Sequence, residues 1–282
     1  MKLKEFFYCL GLKPRPQSYG FEVHEQSIDN RTIRYAQWLH PRAYRGEISA
    51  TEITRLKRFL REGDVAIDIG AHTGDTTLPM AMAVGSTGSV IAFEANKFVY
   101  PTLKVNATLN RSLGAIYAYN LAVTEENREY EFSYNDPGFM NGGAVEKTRQ
   151  YRRGDAFRQM VQGVRLVDFL NENFPEFVNR IRYIKIDTEG SDLYILKSIA
   201  ELIDRVQPII QAEVMRRTPA DYRLEMFDFL TQRGYQIQLH VGGLDTGRPM
   251  VRNEILQGDD FDLFCTPRSQ AASGAKTMTN VA

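Results

Sequence analysis

Apolar positions along this chain change rhythm several times. Residues 18–48 carry short aromatic and β-branched runs, Phe21-Glu-Val and Thr32-Ile-Arg-Tyr-Ala-Gln-Trp-Leu, with Asp29-Asn30 between them as a turn. That pattern predicts an N-terminal lead-in with short strands over residues 1–48. Ile53, Leu56, Phe59 and Leu60 then repeat at helical spacing, with Ser49 or Thr51 to cap the helix and Gly63 to end it. Val65-Ala-Ile-Asp-Ile-Gly70 is a continuous apolar run broken by one Asp, the mark of a strand buried on both faces. A helix through Met80, Met82 and Val84 stops at Gly85. Ser89 to Glu94 reads as a second buried strand, Phe98 to Leu109 as a helix, and Ala115 to Asn120 as a third strand. Strands alternating with helices of this length imply βαβ units and a mostly parallel sheet with helices on both faces, an α/β fold.

The alternation pauses over about residues 124–166. Glu129-Tyr-Glu-Phe-Ser-Tyr134 alternates polar and apolar, as half of a surface hairpin would. Gly138 to Gly143 and the basic run Lys147 to Arg158 offer few core residues, so this segment reads as an insertion or mobile lid. The rhythm resumes with the strand Tyr183-Ile-Lys-Ile-Asp187, a helix from Asp192 to about Ile203, and the strand Pro208 to Val214. A capping box, Thr218-Pro-Ala-Asp221, opens a further helix that closes at Gly234. Tyr235 to Val241 and Phe261 to Cys265 read as the last strands. Residues 49–267 thus form one α/β domain, and 268–282, without periodicity, form a frayed tail.

Composition narrows the function. Lys+Arg and Asp+Glu both count 35, so the formal charge is zero and the basic excess of a generic nucleic-acid binder is missing. No stretch approaches the roughly 18 apolar residues of a membrane-spanning helix. The opening Met1 to Leu12 has a short apolar run followed by Lys13-Pro-Arg-Pro16, which suits a short helix better than a cleaved leader. Cys9 and Cys265 are the only cysteines and form no CxxC pair, which points to a reducing compartment, the cytoplasm.

The residues with chemical potential cluster at strand ends. Asp68-Ile-Gly70-Ala-His72-Thr-Gly74-Asp75 sits where a buried strand turns into a helix, and its glycines allow a ligand close to the backbone. Glu94 ends the next strand, twenty residues after Gly74, where an acid takes a ribose diol in nucleotide-binding sheets. The spacing D-x-G-x-x-x-G lacks the middle glycine of the dinucleotide fingerprint, so an adenosyl ligand without phosphates fits better than a pyrophosphate. Asn120 and Ala122 follow the third strand and are placed to touch an adenine. Asp187 and Glu189 close another buried strand at the crevice, where a carboxylate can accept a proton; their oxygens also suit Mg²⁺ or Mn²⁺. Asp192 reads as a structural group, capping the following helix or pairing with Lys185, and Asp168 as a helix cap. Glu213, an isolated acid in an apolar run, is a further base candidate, as is His72. His24, His40, His72 and His240 lack metal-ligand spacing, so no metal site is expected from them. No G-x-S-x-G elbow or P-loop occurs.

Asp68-Ile-Gly-Ala-His-Thr-Gly, Phe93-Glu-Ala95, Asn120-Leu-Ala-Val, Ile184-Lys-Ile-Asp-Thr-Glu-Gly190 and Gln211-Ala-Glu-Val occur in an order that resembles the FkbM family of S-adenosylmethionine-dependent methyltransferases, from about Glu52 to Val241. The resemblance implies a Rossmann-like class I methyltransferase sheet of seven strands, one of them reversed. It implies O-methylation of a hydroxyl on a sugar, glycan or polyketide-like small molecule. It puts Asp68, Gly70, Ala71, His72, Gly74 and Asp75 near the methionine half of the cofactor, Glu94 on its ribose with Ala95 and Asn96 beside it, and Glu52 near the same site. His72 stands where the family commonly has Asn, and Thr188 where it has Val. Among the carboxylates, Glu189 is the first choice of base, with Asp187 engaged by the cofactor. Two rival readings are another nucleotide-cofactor enzyme modifying sugars on a similar sheet, and a non-catalytic nucleotide-binding module.

Overall fold

The computed structural model describes Leu12 and residues 15–43, 45–140, 142–148, 157–240 and 247–269. Apart from Leu12, the helix expected over residues 1–12 falls outside them, as does the expected tail beyond residue 269. The lead-in is a hairpin of β1 (Phe21–Ile28) and β2 (Arg31–Trp38), in which Ile28 pairs with Arg31. Asp29 and Asn30 turn it with φ of 51° and 59°, the left-handed conformation that short Asx side chains tolerate. Helix α1 (Ala50–Leu56) is capped by Ser49, whose Oγ accepts the Glu52 N–H at 3.1 Å.

β3 (Val65–Ile69), α2 (Thr77–Val84), β4 (Ser89–Phe93), α3 (Tyr100–Leu109) and β5 (Ala115–Tyr119) follow in the expected alternation. After the insertion come α5 (Leu166–Asn173), β10 (Ile181–Ile186), α6 (Asp192–Ser198), α7 (Ala200–Val206), β11 (Ile209–Val214), α8 (Ala220–Gln232), β12 (Tyr235–His240) and β13 (Phe261–Pro267). The seven-stranded sheet runs β12-β13-β11-β10-β3-β4-β5, with β13 antiparallel to both neighbours and every other pairing parallel. This is the class I methyltransferase order with its one reversed strand. Alternate residues serve opposite faces. Val65, Ile67 and Ile69 pack under α5, α6 and α8 through Leu170, Leu193 and Leu230, and Ala66 packs under α1 and α2 through Leu56 and Met80.

The hairpin is docked on this domain by side chains that act as a strand edge. Asn106 Oδ1 accepts the Ala36 N–H at 2.7 Å, while its Nδ2 donates to Ala36 O at 3.0 Å and to Thr73 O at 2.7 Å. Asn110 repeats the pattern on Arg34, accepting its N–H at 3.0 Å and donating to its carbonyl at 2.6 Å. Four helix residues rise about 6 Å and two strand residues about 6.8 Å, so i,i+4 on α3 matches i,i+2 on β2.

Several expectations change. The insertion is a sheet, not a stretch poor in core: β6 (Ala122–Val123), β7 (Glu129–Tyr134), β8 (Gly142–Ala144) and β9 (Phe157–Val164) pair in the order β6-β9-β7-β8, and α4 (Val145–Thr148) follows β8. Its core is aromatic, with Phe139 stacked on Phe98 at 4.3 Å and edge-on to Tyr134 and Phe157. The 136–140 turn is tied down rather than loose: Asp136 accepts the N–H groups of Gly138 and Met140, and Asn96 donates to Phe139 O. Residues 149–156 of the expected lid lie outside the described residues. The capping box at Thr218 does not form; Thr218 Oγ1 donates to Met215 O at 2.7 Å and Pro219 begins the helix. Asp168 sits in the first turn of α5 and pairs with Arg165 without capping. The helix after Asp192 breaks between Ser198 and Ala200.

Candidate active site

Main-chain hydrogen bonds carry the ladders past the strand ends and so build the floor of the site. The N–H groups of Gly70 and Ala71 both donate to Phe93 O at 3.0 Å, Glu94 N–H to Tyr119 O at 3.0 Å, and Asp187 N–H to Ile69 O at 3.0 Å. Gly70 has φ +82°, and a Cβ there would lie 1.8 Å from the Asp187 carbonyl oxygen. The ends of β3 and β10 therefore meet backbone to backbone, which only glycine permits. His72 (φ 50°) and Gly74 (φ +92°) continue the left-handed winding toward α2.

Asp68 is fully buried under this turn. Its Oδ2 accepts from Thr76 Oγ1 at 3.0 Å and Thr77 Oγ1 at 2.6 Å, pinning the first residues of α2. Burial raises its carboxyl above the usual range, against the pull of Lys185 and the two hydroxyls. Glu94 takes the other side of the turn. Its two oxygens accept the His72 and Asn96 N–H groups, each at 2.7 Å, which leaves further lone pairs directed at the cavity it lines. Burial pushes its carboxyl up to about 7, although both N–H bonds oppose the shift.

The end of β10 supplies the second group of charges. Lys185 is buried and donates from Nζ to Asp187 Oδ2 at 2.9 Å. Burial alone would lower its pKa, but Asp187, Asp68 and Asp262 outweigh that and hold it charged. Glu189 does not share a strand face with Asp187, because β10 ends at Ile186 and Glu189 itself has φ +56°. The turn still brings Asp187 and Glu189 to the same cavity. Asp192 accepts the Thr188 and Gly190 N–H groups at 3.4 and 3.2 Å, so it ties the loop and neither caps the helix nor pairs with Lys185, which is taken by Asp187; burial and then Asp187 raise its pKa to about 8. Glu213 is pushed up to about 10 by burial, then by Asp187, Asp192 and Glu189. Glu213 is also not on the wall of the cavity that lies over these strand ends, which takes it away from the base role.

A cavity of about 290 Å³ lies over these ends. Of the residues singled out by sequence, Gly70, His72, Asp75, Glu94, Ala95, Asn96, Ala122, Asp187 and Glu189 line it. Ala71, Gly74 and Asn120 are not on its wall; Asn120 Nδ2 braces the loop by donating to Glu94 O at 2.8 Å. Asp68 is likewise off the wall and acts through Thr76, which is on it. Glu52, expected near the same site, instead forms a two-pronged pair with the buried Arg55, at 2.5 and 2.8 Å, and Arg55 Nη2 also donates to Tyr183 Oη and Gln211 Oε1. That network lies under α1, on the sheet face shared by Tyr183 and Phe264, where the Arg55 guanidinium also packs over the Phe264 ring.

The wall has two characters. One part is polar: His72, Asp75, Thr76, Lys185, Asp187, Thr188, Glu189 and Ser191. The other is apolar and aromatic: Phe93, Leu121, Val123, Tyr130, Phe132, Tyr134 and Met140. Tyr130, Phe132 and Tyr134 project from one face of β7, and the i, i+2, i+4 apolar alternation of that segment was their signal. The hairpin also reaches the site, since Tyr35 Oη and Thr73 Oγ1 share a hydrogen bond at 2.7 Å and Thr73 Oγ1 lies 3.3 Å from Asp75 Oδ1. Nothing local in the sequence reveals that link. Among the described residues, no group of three or more His, Cys, Asp or Glu side chains is arranged to hold a metal ion, and no helix is long and apolar enough to cross a membrane.

Comparison with known proteins identifies a family. Residues 68–237 match the methyltransferase FkbM domain family. A curated relative, Methyltransferase sdnD of Sordaria araneosa, is 26% identical over 192 residues, covering 61% of this chain and 73% of its own length. Among solved structures, an FkbM methyltransferase of Methylobacillus flagellatus is 16% identical with a TM-score of 0.46; the match covers 72% of this chain and 44% of that one, so the chain spans less than half of that protein. A SAM-dependent O-methyltransferase of Thermotoga maritima is 13% identical with a TM-score of 0.42, covering 88% of this chain and 78% of its own.

Proposed function

The chain belongs to the FkbM methyltransferase family, and on that premise we propose that it transfers the methyl group of S-adenosylmethionine to a hydroxyl oxygen of a sugar-like or polyketide-like small molecule. The observation that carries this reading is the position of Glu94 beside the Gly70 turn, on the wall of a cavity lined by both apolar residues and carboxylates. These residues fit the cofactor. Glu94 has lone pairs for a ribose diol, Phe93, Leu121 and Val123 suit an adenine, and Asp75 and Asp187 suit an ammonium group. Bound there, the cofactor would supply an electrophilic methyl group on a positively charged sulfur.

The chain's own residues then have two tasks. One is to hold an acceptor oxygen in line and exclude water; orientation of this kind can supply about 7–11 kcal/mol of a barrier in favourable cases. The other is to take the acceptor's proton. Asp187 is engaged by Lys185, and Glu213 is off the cavity wall, which leaves Glu189 and the neutral imidazole of His72. We assign the proton to Glu189, because its carboxylate lines the polar part of the cavity.

The test is calorimetric titration with S-adenosylmethionine and with NAD, followed by transfer of labelled methyl to a panel of alcohols and glycosides, with NMR of the product. Expected are micromolar binding of S-adenosylmethionine alone and a new methyl ether. NAD binding in its place, or methyl on nitrogen or carbon, overturns the reading.

A further inference from the structure

Tyr35 belongs to β2 of the lead-in hairpin, yet its hydroxyl bonds outside the hairpin, toward the cavity. Tyr35 Oη lies 2.7 Å from Thr73 Oγ1, and Thr73 Oγ1 lies 3.3 Å from Asp75 Oδ1. Tyr35 and Thr73 are only 7% and 4% exposed, whereas Asp75 is half-buried and lines the cavity. Among the described residues, nothing but Thr73 donates to the Asp75 carboxylate. The order of donors in this chain is fixed. An ionised carboxylate only accepts, so the Thr73 hydroxyl must direct its one proton at Asp75 and must itself accept from Tyr35. Burial, and then the Asp75 charge, raise the Tyr35 phenol above its ordinary range, so Tyr35 keeps the proton it donates. Asn106 anchors the same two segments, since its Nδ2 donates to Thr73 O at 2.7 Å and its Oδ1 accepts the N–H of Ala36 at 2.7 Å.

We infer that Tyr35 is a positioning residue for the cofactor: through Thr73 it fixes the Asp75 carboxylate to receive the ammonium group of S-adenosylmethionine. This rests on the methyltransfer reading above. The hairpin is then part of the binding machinery, although it forms a two-stranded sheet separate from the one whose strand ends build the floor of the site. Without the Tyr35 donor the Thr73 hydroxyl can turn to another acceptor, and Asp75 loses the one bond that orients it. The effect is local to the part of the cofactor that Asp75 meets. Glu94, on the other side of the turn, keeps its own two N–H partners from His72 and Asn96.

The experiment uses the full chain and two ligands, S-adenosylmethionine and 5′-methylthioadenosine, which keeps the adenosine and lacks the amino-acid part. Titration calorimetry of Tyr35→Phe should show a roughly three- to tenfold loss for S-adenosylmethionine. Affinity for 5′-methylthioadenosine should stay within about twofold, with Trp38 emission as in the parent. Thr73→Val should reproduce the loss, and Thr73→Ser, which keeps the hydroxyl, should recover most of the affinity. In an Asp75→Ala background, Tyr35→Phe should weaken S-adenosylmethionine by less than about a further twofold, because its route to the ligand is gone. Unchanged S-adenosylmethionine affinity in both Tyr35→Phe and Thr73→Val overturns the inference. So does an equal loss for the two ligands, which would make Tyr35 a support of the fold, and so does the full loss repeated without Asp75. If Tyr35→Phe does not fold, the contrast between Thr73→Val and Thr73→Ser decides. If 5′-methylthioadenosine binds too weakly to follow, the Asp75→Ala background decides. A parent that binds no S-adenosylmethionine brings down the methyltransfer reading and this inference with it, whereas normal binding without the Tyr35 effect brings down the inference alone.

Discussion

Replacing Asn106 with Ala tests whether the hairpin is an appendage or part of the catalytic domain. Asn106 is 1% exposed, and the groups it serves are also buried: Ala36 at 0% and Thr73 at 4%. The substitution leaves three main-chain groups, Ala36 N–H, Ala36 C=O and Thr73 C=O, without the partner they have now. Each orphaned group costs about 1–3 kcal/mol. If water reaches one of them, about 3–5 kcal/mol of stability is lost, at the upper end for a single substitution. Asn110→Ala is the internal control. It removes two bonds to Arg34, an exposed residue whose backbone water can serve, so its cost should stay near about 1 kcal/mol. Trp38 reports on the hairpin directly, being the single tryptophan of the chain and fully buried against Val99. Urea unfolding followed by Trp38 emission and by far-ultraviolet circular dichroism should show coincident transitions in the parent. Asn106→Ala should shift both to lower urea. Because Thr73 also contacts Asp75 on the cavity wall, cofactor affinity should fall several-fold in the folded variant. A loss below 1 kcal/mol with unchanged Trp38 emission would refute the reasoning.

Three further outcomes are expected. Glu94→Ala should weaken S-adenosylmethionine at least tenfold by titration calorimetry; in the parent, affinity should drop as pH falls below about 7, where Glu94 takes up a proton, and Glu94→Gln should flatten that profile. Stability runs the other way: because the folded value lies above the unfolded one, the favourable contribution of Glu94 is complete below the ordinary carboxylate range. About 3 kcal/mol is lost as pH rises through 7, measurable as a fall in unfolding free energy that Glu94→Gln removes. Glu189→Gln should lower turnover by about 10²–10⁴-fold with cofactor affinity within a few-fold, whereas Asp187→Asn, which also strips Lys185 of its partner, should damage both; near-normal turnover in Glu189→Gln moves the proton to His72. Gly70→Ala, with its Cβ 1.8 Å from a carbonyl oxygen and φ of +82°, should cost about 3 kcal/mol or more in denaturant titrations, and a cost under 1 kcal/mol would mean the strand ends can part freely.

The central sheet was legible because parallel strands covered on both faces must be continuously apolar, so Asp68 and Lys185 stand out as polar exceptions that mark strand ends at the site. Glu94 was legible for the same reason. What the sequence hid depends on distant partners. Glu52 looked available until Arg55, Tyr183 and Gln211 are seen converging on one buried spot from α1, β10 and β11. The insertion looked poor in core because its aromatic cluster draws on Phe98, Phe132, Tyr134, Phe139 and Phe157, whose spacing matches neither a helix nor one strand. That the strand stops at Ile186 and Glu189 turns through a positive φ was not legible, since such a conformation in a non-glycine residue leaves no trace in composition. Asn106 and Asn110 read as ordinary polar positions on a helix; their role is apparent only once β2 lies beside them.

The two asparagines have a consequence for how this molecule meets copies of itself. A hairpin on a protein surface has two open margins, and each can recruit a strand from another chain into a growing aggregate. On β2 that margin is occupied, residue by residue, by carboxamides that imitate a neighbouring strand. Among the described residues no strand pairs with the β1 margin, and Phe21 and Val23 on β1 are exposed. Those two alternate with Glu22 and His24, and Glu25 follows, all exposed; glutamates so placed discourage an incoming strand. Loss of either asparagine would therefore do more than loosen the hairpin: it would uncover part of a second adhesive margin, on the strand that carries Ile33, Tyr35 and Trp38.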